Sequence, residues 1–281
     1  MKNEQPTLSV ILSTYNAEDW LEKALWGYQN QSFKDFEIVI ADDGSSAKTK
    51  MLLQRMQLEV FFPIIHIWQP DEGFQKTRIL NKAIAACRAD YIVMSDGDCI
   101  PRKDFLEVHY THRQQGYFLS GGYFKLPKRI SEEIDKEHIL KGKCFKKLWL
   151  EKRGLASSIK TLKLQKNKEI AHFLNSVTTS KASWNGHNAS GWKSDIFSVN
   201  GFDERMQYGG EDRELGERLF NLGIKSKQIR FSAVCVHLHH QRSYKTKESI
   251  EKNKAIRKNT KKQKVVWTPY GIAKETATKS A

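Results

Sequence analysis

Cysteine is scarce in this 281-residue chain, and its four copies, Cys87, Cys99, Cys144 and Cys235, lie far apart with no CxxC spacing. That argues against a zinc knuckle or a disulfide scaffold and makes buried, reduced thiols the expectation. Long hydrophobic runs are missing too. No stretch approaches the ~18 uncharged apolar residues of a membrane span. The run near the start, Leu8 to Leu12, is too short for a signal peptide and is soon followed by Glu18 and Asp19, so a cytoplasmic location is expected. There is no internal repeat. What is present, 39% apolar and 28% charged residues, belongs to a folded protein with one compact domain, bare or with an appendage, and not to a disordered or collagen-like chain.

The net charge of +15 is unevenly placed. Residues 125–169 hold fourteen Lys and Arg against six acids, and residues 242–281 hold twelve against three. The rest of the chain, with 21 against 23, is nearly neutral. Two basic attachments on a neutral body suit an anionic partner, such as a membrane surface or a phosphorylated acceptor; solvated helix faces are the plainer alternative. Residues 242–264 are the candidate contact with an anionic membrane. They read as a helix to about Lys264, followed by a loose end.

Leu8–Ser13, Phe36–Ala41, Ile64–Trp68 and Tyr91–Ser95 are short β-rich runs. Ala17–Gln29 and Thr77–Arg88 carry apolar residues at helical spacing between them. Strands alternating with helices predict an α/β fold with a parallel, doubly wound sheet, whose ligands sit beyond the carboxyl ends of the strands. Three loops lie there: Thr14-Tyr15-Asn16, Asp42-Asp43-Gly-Ser and Asp96-Gly-Asp98. Further on, residues 125–169 read as inserted amphipathic helices with Ile130, Ile134, Ile139, Leu148 and Leu150 as their apolar residues. Residues 185–199 are partly β-like, Glu211–Leu222 reads as a helix and Phe231–Val236 as a last strand.

Two acids one residue apart at a strand end can point into one cleft and hold a hard divalent cation against a diphosphate, which makes Asp96 and Asp98 candidates. Asp42 and Asp43 could accept hydrogen bonds from a nucleobase or from ribose hydroxyls. Gly209 and Gly210 allow close approach of backbone to a ligand, and Glu211 and Asp212 open a helix, where negative charge is favoured and a simple cap is the alternative. In His237-Leu-His-His240 an imidazole can bind metal. Trp184, Trp192 and Phe202 could stack on a sugar, although core packing is the commoner use of such residues.

The order of these features resembles that of the family 2 glycosyltransferases of GT-A fold, a Rossmann-like nucleotide-binding sheet with helices on both faces. The motifs are Ser9 to Asn16, Ile38 to Ser45, Asp71-Glu-Gly-Phe74 with Arg78 and Asn81, Asp96-Gly-Asp98, and Gly209-Gly-Glu-Asp212. Asn188-Ala-Ser190 through Gly201-Phe-Asp-Glu204 to Asp212 is similar to the galactosyltransferase-type C-terminal module of chondroitin-polymerase-like enzymes. The resemblance covers residues 7 to about 242. It implies a domain over 1–241, with a nucleotide-sugar half at about 7–124, the basic helical insertion at about 125–169 and an acceptor or catalytic half at about 170–241. A basic C-terminal tail, 242–281, follows.

By the same resemblance Thr14, Tyr15, Asn16, Asp42 or Asp43 hold the nucleotide, Arg78 supports the acidic loop, and Asp96 faces ribose or metal. Asp98 and His237, with His240 in reserve, ligate Mn²⁺ or Mg²⁺. From their residue types, Trp192, Gly209 and Gly210 are the candidates on the acceptor side. By the resemblance, Asp212, or else Glu211, is the catalytic base. The implied activity is metal-dependent, inverting transfer of a hexosyl group from a nucleotide sugar, expected to be a UDP-sugar, to a saccharide or lipid-linked acceptor in cell-surface polysaccharide or lipopolysaccharide synthesis, with no nucleic acid involved. The rivals are a nucleotidyltransferase on a similar fold, for which Ser13-Thr-Tyr-Asn16 lacks a triphosphate-binding Gly and Lys loop, and a non-catalytic basic protein that binds membrane or nucleic acid.

Overall fold

The computed structural model describes residues 5–241 and 245–274. The first half alternates as expected: β1 (Leu8–Thr14), α1 (Glu18–Gln29), β2 (Phe36–Asp42), α2 (Ala47–Glu59), β3 (Ile64–Trp68), α3 (Lys76–Ala86) and β4 (Tyr91–Asp96). Strands β1, β2 and β4 are buried almost throughout, as their richness in Val, Ile and Leu suits parallel strands covered on both faces. There follow β5 (Cys99–Pro101), α4 (Phe105–His112), β6 (Tyr117–Ser120) and β7 (Gly122–Lys125). Four helices come next: α5 (Lys128–Glu133), α6 (Lys136–Leu140), α7 (Lys147–Glu151) and α8 (Lys168–Val177). The chain closes with β8 (Ala189–Trp192), α9 (Lys193–Ser198), α10 (Glu211–Asn221), β9 (Lys225–Gln228), β10 (Val234–His237) and α11 (Lys247–Lys262).

The main sheet has seven strands in the order β3-β2-β1-β4-β8-β6-β9. Strands β1 to β4 are mutually parallel, but β8 enters antiparallel between β4 and β6, so the sheet is mixed where a parallel one was expected. Strand order reverses between β1 and β4, which places the ligand-binding crevice beside Thr14 and Asp96. A three-stranded sheet, β5-β10-β7, stands next to it and brings His237 opposite Cys99. The last strand thus starts at Val234, later than the apolar run from Phe231 suggested.

Both basic segments are more integrated than their charge implied. Ile130, Ile134, Ile139 and Leu150 join the core cluster that contains Leu8, Val10 and Leu12, while Leu148 stays exposed. Helix α11 lies along α10: Arg257 pairs with Glu217, and Thr260 Oγ1 donates to Glu214 Oε1 at 2.9 Å. Beyond it, Asn200 Nδ2 donates to the carbonyls of Thr268 and Ala273, so residues 265–274 are bound to the body where a loose end was expected. Of the tail, residues 242–244 and 275–281 lie outside the described residues.

Candidate active site

A cleft of about 1680 Å³ opens at the carboxyl ends of β1, β2 and β4. Thr14, Tyr15, Asn16, Asp43, Asp96, Asp98, Glu211, Asp212, His237 and His240 all line it. Its floor depends on a close crossing: the Gly97 N–H donates to the Ser13 carbonyl at 2.8 Å, and a Cβ at Gly97 would lie 2.9 Å from that oxygen. Only glycine lets the loop carrying Asp96 and Asp98 lie so near β1.

One wall is a cluster of carboxylates around Lys76. Lys76 Nζ is 2.7 Å from Asp96 Oδ1, which also accepts from Ser13 Oγ at 2.8 Å. Burial works against the Lys76 charge, but Asp96, Asp212 and Glu211 more than offset it and raise its pKa. Burial likewise opposes the Asp96 charge, yet Lys76 holds that carboxyl well below the usual carboxylate range. Asp212 has the reverse balance. Burial and the neighbouring Glu211 raise it to about 7, with Lys76 acting in the opposite direction. Its Oδ1 is buried with no hydrogen-bond partner among the described residues, so its capacity to accept is unspent. Glu211 is committed: its Oε2 accepts from the Gly209 N–H at 2.8 Å.

The other wall is Asp98 with the histidines. His240 Nε2 lies 3.1 Å and His237 Nε2 3.7 Å from Asp98 Oδ2. Each imidazole has its Nδ1 against a backbone carbonyl, that of Leu238 at 2.7 Å and of Gln241 at 2.9 Å. This directs a free Nε2 toward the carboxylate, the arrangement that orients a metal-binding histidine. Ligand atoms of Asp98, Cys99 and His237 lie within 4.8 Å of one another. Burial holds the Asp98 carboxyl above its ordinary value, against the pull of His237 and His240. Burial also holds the Cys99 thiol well above its own, which makes the sulfur a poor ligand beside the carboxylate and imidazole.

Several expected residues are placed elsewhere. Asp42 points away from the cleft because successive residues at a strand end face opposite ways; it accepts from the Ser45 N–H and pairs with His66 at 2.8 Å. Asp43 does reach the cleft, with Gln69 and the Gln75 N–H on its two oxygens, and burial raises it to about 6. Arg78 stays outside the cleft but holds Glu72 of the acidic loop at 2.8 Å. Trp192 pairs with Tyr91 at the amino end of β4, the far end of the sheet, and donates to the Gln114 carbonyl. Gly209 and Gly210 do not line the cleft, and a Cβ on them would meet Ile250 and Arg257 of α11 at 3.3 and 3.1 Å. Trp184 and Phe202 are core residues.

Sequence reasoning missed Lys76 and His187. Lys76 follows Asp71-Glu-Gly-Phe74 by two residues, and a basic residue just after an acidic motif was the available signal. His187 lines the cleft against the Tyr123 ring, and burial lowers it to about 4. Asn188-Ala-Ser190 carries no cleft group. It is a buried junction in which Asn188 Nδ2 donates to the Gly122 and Ala233 carbonyls and Asn188 Oδ1 accepts from His109 Nε2.

Comparison with known proteins agrees with this architecture. Residues 9–125 match the family model of glycosyl transferase family 2, and residues 178–241 match a model of the N-terminal domain of galactosyltransferase. Over 241 residues the chain is 25% identical to chondroitin synthase of Escherichia coli, covering 79% of this chain and 33% of that protein. It is 26% identical to the uncharacterized glycosyltransferase YfnE of Bacillus subtilis over 273 residues, 87% of this chain and 68% of that one. Mannosyltransferase PcManGT from Pyrobaculum calidifontis, in complex with GDP-Man and Mn²⁺, superposes with a TM-score of 0.55 at 17% identity, covering 86% of this chain and 59% of that one. S. aureus TarS 1–349 in complex with UDP-GlcNAc gives 0.55 at 14% identity, covering 85% and 60%. The chain therefore spans a third of the chondroitin synthase and about three fifths of these structures.

Proposed function

We propose that this chain, which belongs to the family 2 glycosyltransferases of GT-A fold, transfers a sugar from a nucleotide donor to a saccharide or lipid-linked acceptor hydroxyl in a metal-dependent, inverting reaction. The observation that carries this reading is the placement of Asp212 and the Asp98, His237 and His240 group on two walls of one cleft. A carboxylate with imidazole nitrogens suits Mn²⁺; Mg²⁺, which prefers an all-oxygen shell, fits less well. Asp98 and His237 would hold the ion, with His240 beside them. A bound cation stabilises negative charge on a diphosphate leaving group.

The protein's own groups account for the rest. Thr14, Tyr15, Asn16 and Asp43 surround the place for the nucleoside, and Lys76 keeps Asp96 ionised beside it. Asp212 accepts the acceptor hydroxyl proton as the bond from that oxygen to the anomeric carbon forms and the bond from the anomeric carbon to the diphosphate breaks. A base poised near neutrality has the right strength for this. A single displacement from one face makes an α-linked donor give a β-linked product. The case for a UDP donor rests on Asp43, since Asp42 is turned inward. Calorimetry with UDP, GDP and ADP in the presence of Mn²⁺ tests it: UDP should bind tightest, and equal affinities would remove the argument for uracil. No helix of the described residues is long and apolar enough to cross a membrane.

A further inference from the structure

An exposed apolar surface lies on the 3-10 turn of the basic insertion and on helix α8 that follows it, and not on the C-terminal helix. In α8, Ile170, Phe173 and Val177 fall on one side of the helix, and they are 48%, 62% and 54% exposed. Of the ten residues of α8, only Ala171 is buried. Ile159 and Leu162, in the 3-10 turn Ile159–Leu164, are 85% and 44% exposed. Both elements are fastened to one loop: the Arg102 guanidinium donates to the carbonyls of Gln165 and Ser232 at 2.9 and 2.6 Å, and Asn175 Nδ2 donates to Ser232 Oγ at 2.8 Å. They are held firmly, yet present their apolar side chains to solvent.

Charge decides what covers this face. Residues 146–181 hold nine Lys and Arg against two acids, and Lys146, Lys147, Lys152, Lys160, Lys166, Lys168 and Lys181 are exposed. A second copy of the same face would bring like charges together, and a nucleic acid would leave Phe173 and Ile159 in water. An anionic bilayer satisfies both features, because apolar side chains enter the acyl boundary while lysines remain at the headgroups. Helix α11 is basic but has no exposed large apolar residue, and part of its charge is neutralised by Glu217. We propose that Ile170, Phe173 and Val177 of α8, together with Ile159 and Leu162 of the 3-10 turn anchored to the same loop, dock the protein on an anionic lipid surface. This replaces residues 242–264 as the membrane contact.

The position suits the reaction proposed above, on which the lipid-linked choice of acceptor depends. Lys163 Nζ donates to the Tyr123 carbonyl at 3.0 Å, and the Tyr123 ring lies 4.4 Å from His187 and 5.5 Å from His237. The docking face is thus one side chain away from the cleft wall, where a lipid-borne acceptor can be handed in from the bilayer.

Vesicle flotation with the full chain tests the docking. Vesicles of phosphatidylcholine with roughly a third phosphatidylglycerol should carry the protein and pure phosphatidylcholine should not, as electrostatic attraction to anionic headgroups requires. Ile170→Ser with Phe173→Ser should lower the bound fraction at least tenfold without a change in melting temperature, and Lys160→Glu with Lys166→Glu should do the same at low salt. Lys252→Glu with Lys258→Glu in α11 should bind like the parent. The idea is overturned if the parent does not float, if only the α11 variant loses binding, or if the apolar variant changes oligomeric state by light scattering and floats unchanged. Donor hydrolysis, read in the same preparations without vesicles, separates this result from the sugar chemistry: intact hydrolysis with no flotation removes the docking alone, and flotation with no hydrolysis removes the transferase reading alone.

Discussion

Lys76 Nζ stands 2.7 Å from Asp96 Oδ1, so the first acid of Asp96-Gly-Asp98 has a counterion from the protein itself, while the second, Asp98, faces two imidazoles. The two acids of one short motif therefore have different electrostatic partners, and the same lysine acts on Asp212.

Lys76→Met tests that coupling. The lysine charge favours ionised Asp212, so removing it should raise the Asp212 pKa by about 1–3 units. The acid limb of the kcat/KM profile, expected near pH 7 in the parent, should move to higher pH. An unmoved limb would show that Asp212 is not the titrating base.

Asp212→Asn preserves size and loses basicity. Turnover should fall by about 10²–10⁴ while nucleotide affinity and melting temperature hold. Glu211→Gln should have the smaller effect on kcat, because Glu211 is engaged with the Gly209 N–H. If the two variants exchange these phenotypes, their roles are exchanged.

For the metal, Mn²⁺ titration followed by calorimetry in the presence of UDP should show one site that is lost in Asp98→Ala. His237→Ala should weaken it by about 10–100-fold. Unaltered binding in Asp98→Ala, or full turnover in excess chelator, contradicts the assignment.

The C-terminal helix should behave as part of the fold. Thr260→Val removes the hydroxyl that donates to Glu214, itself buried with Arg218, and should cost about 1–2 kcal/mol in urea unfolding. Ending the chain at Gln241 should lower the melting temperature by more than Thr260→Val does. A truncated protein as stable as the parent would return α11 to the status of a tail.

Acid stability should depend on His109. Burial lowers its pKa to about 3, with Nε2 donating to Asn188 and Nδ1 accepting from Ser190. A histidine whose folded pKa is depressed binds its proton more readily in the unfolded chain. Stability is therefore full above about pH 6.5 and falls as pH drops toward 3, by roughly 2 kcal/mol at pH 5. In His109→Gln, denaturant titrations at pH 7 and pH 5 should differ by correspondingly less; an unchanged difference would assign the dependence to other groups.

The sequence by itself determined the local and periodic features. Apolar runs fixed β1, β2 and β4, helical spacing fixed α1 and α3 within a residue or two, and motif order gave the family and the cleft residues Thr14, Asp96, Asp98 and Asp212, because each signal lies within a few neighbouring residues. Tertiary structure decided whatever depends on pairing across long separations. It inserted β8 antiparallel beside β4, turned Asp42 toward His66, sent Trp192 to the far end of the sheet, and filled the space above Gly209 and Gly210 with α11. It joined Lys76 to Asp96, and it left the face of α8 uncovered while burying one side of α11. A charge count cannot separate the two basic segments, 125–169 with fourteen Lys and Arg against six acids and 242–281 with twelve against three. Which apolar face finds a partner is settled by packing, where the neighbours come from distant parts of the chain.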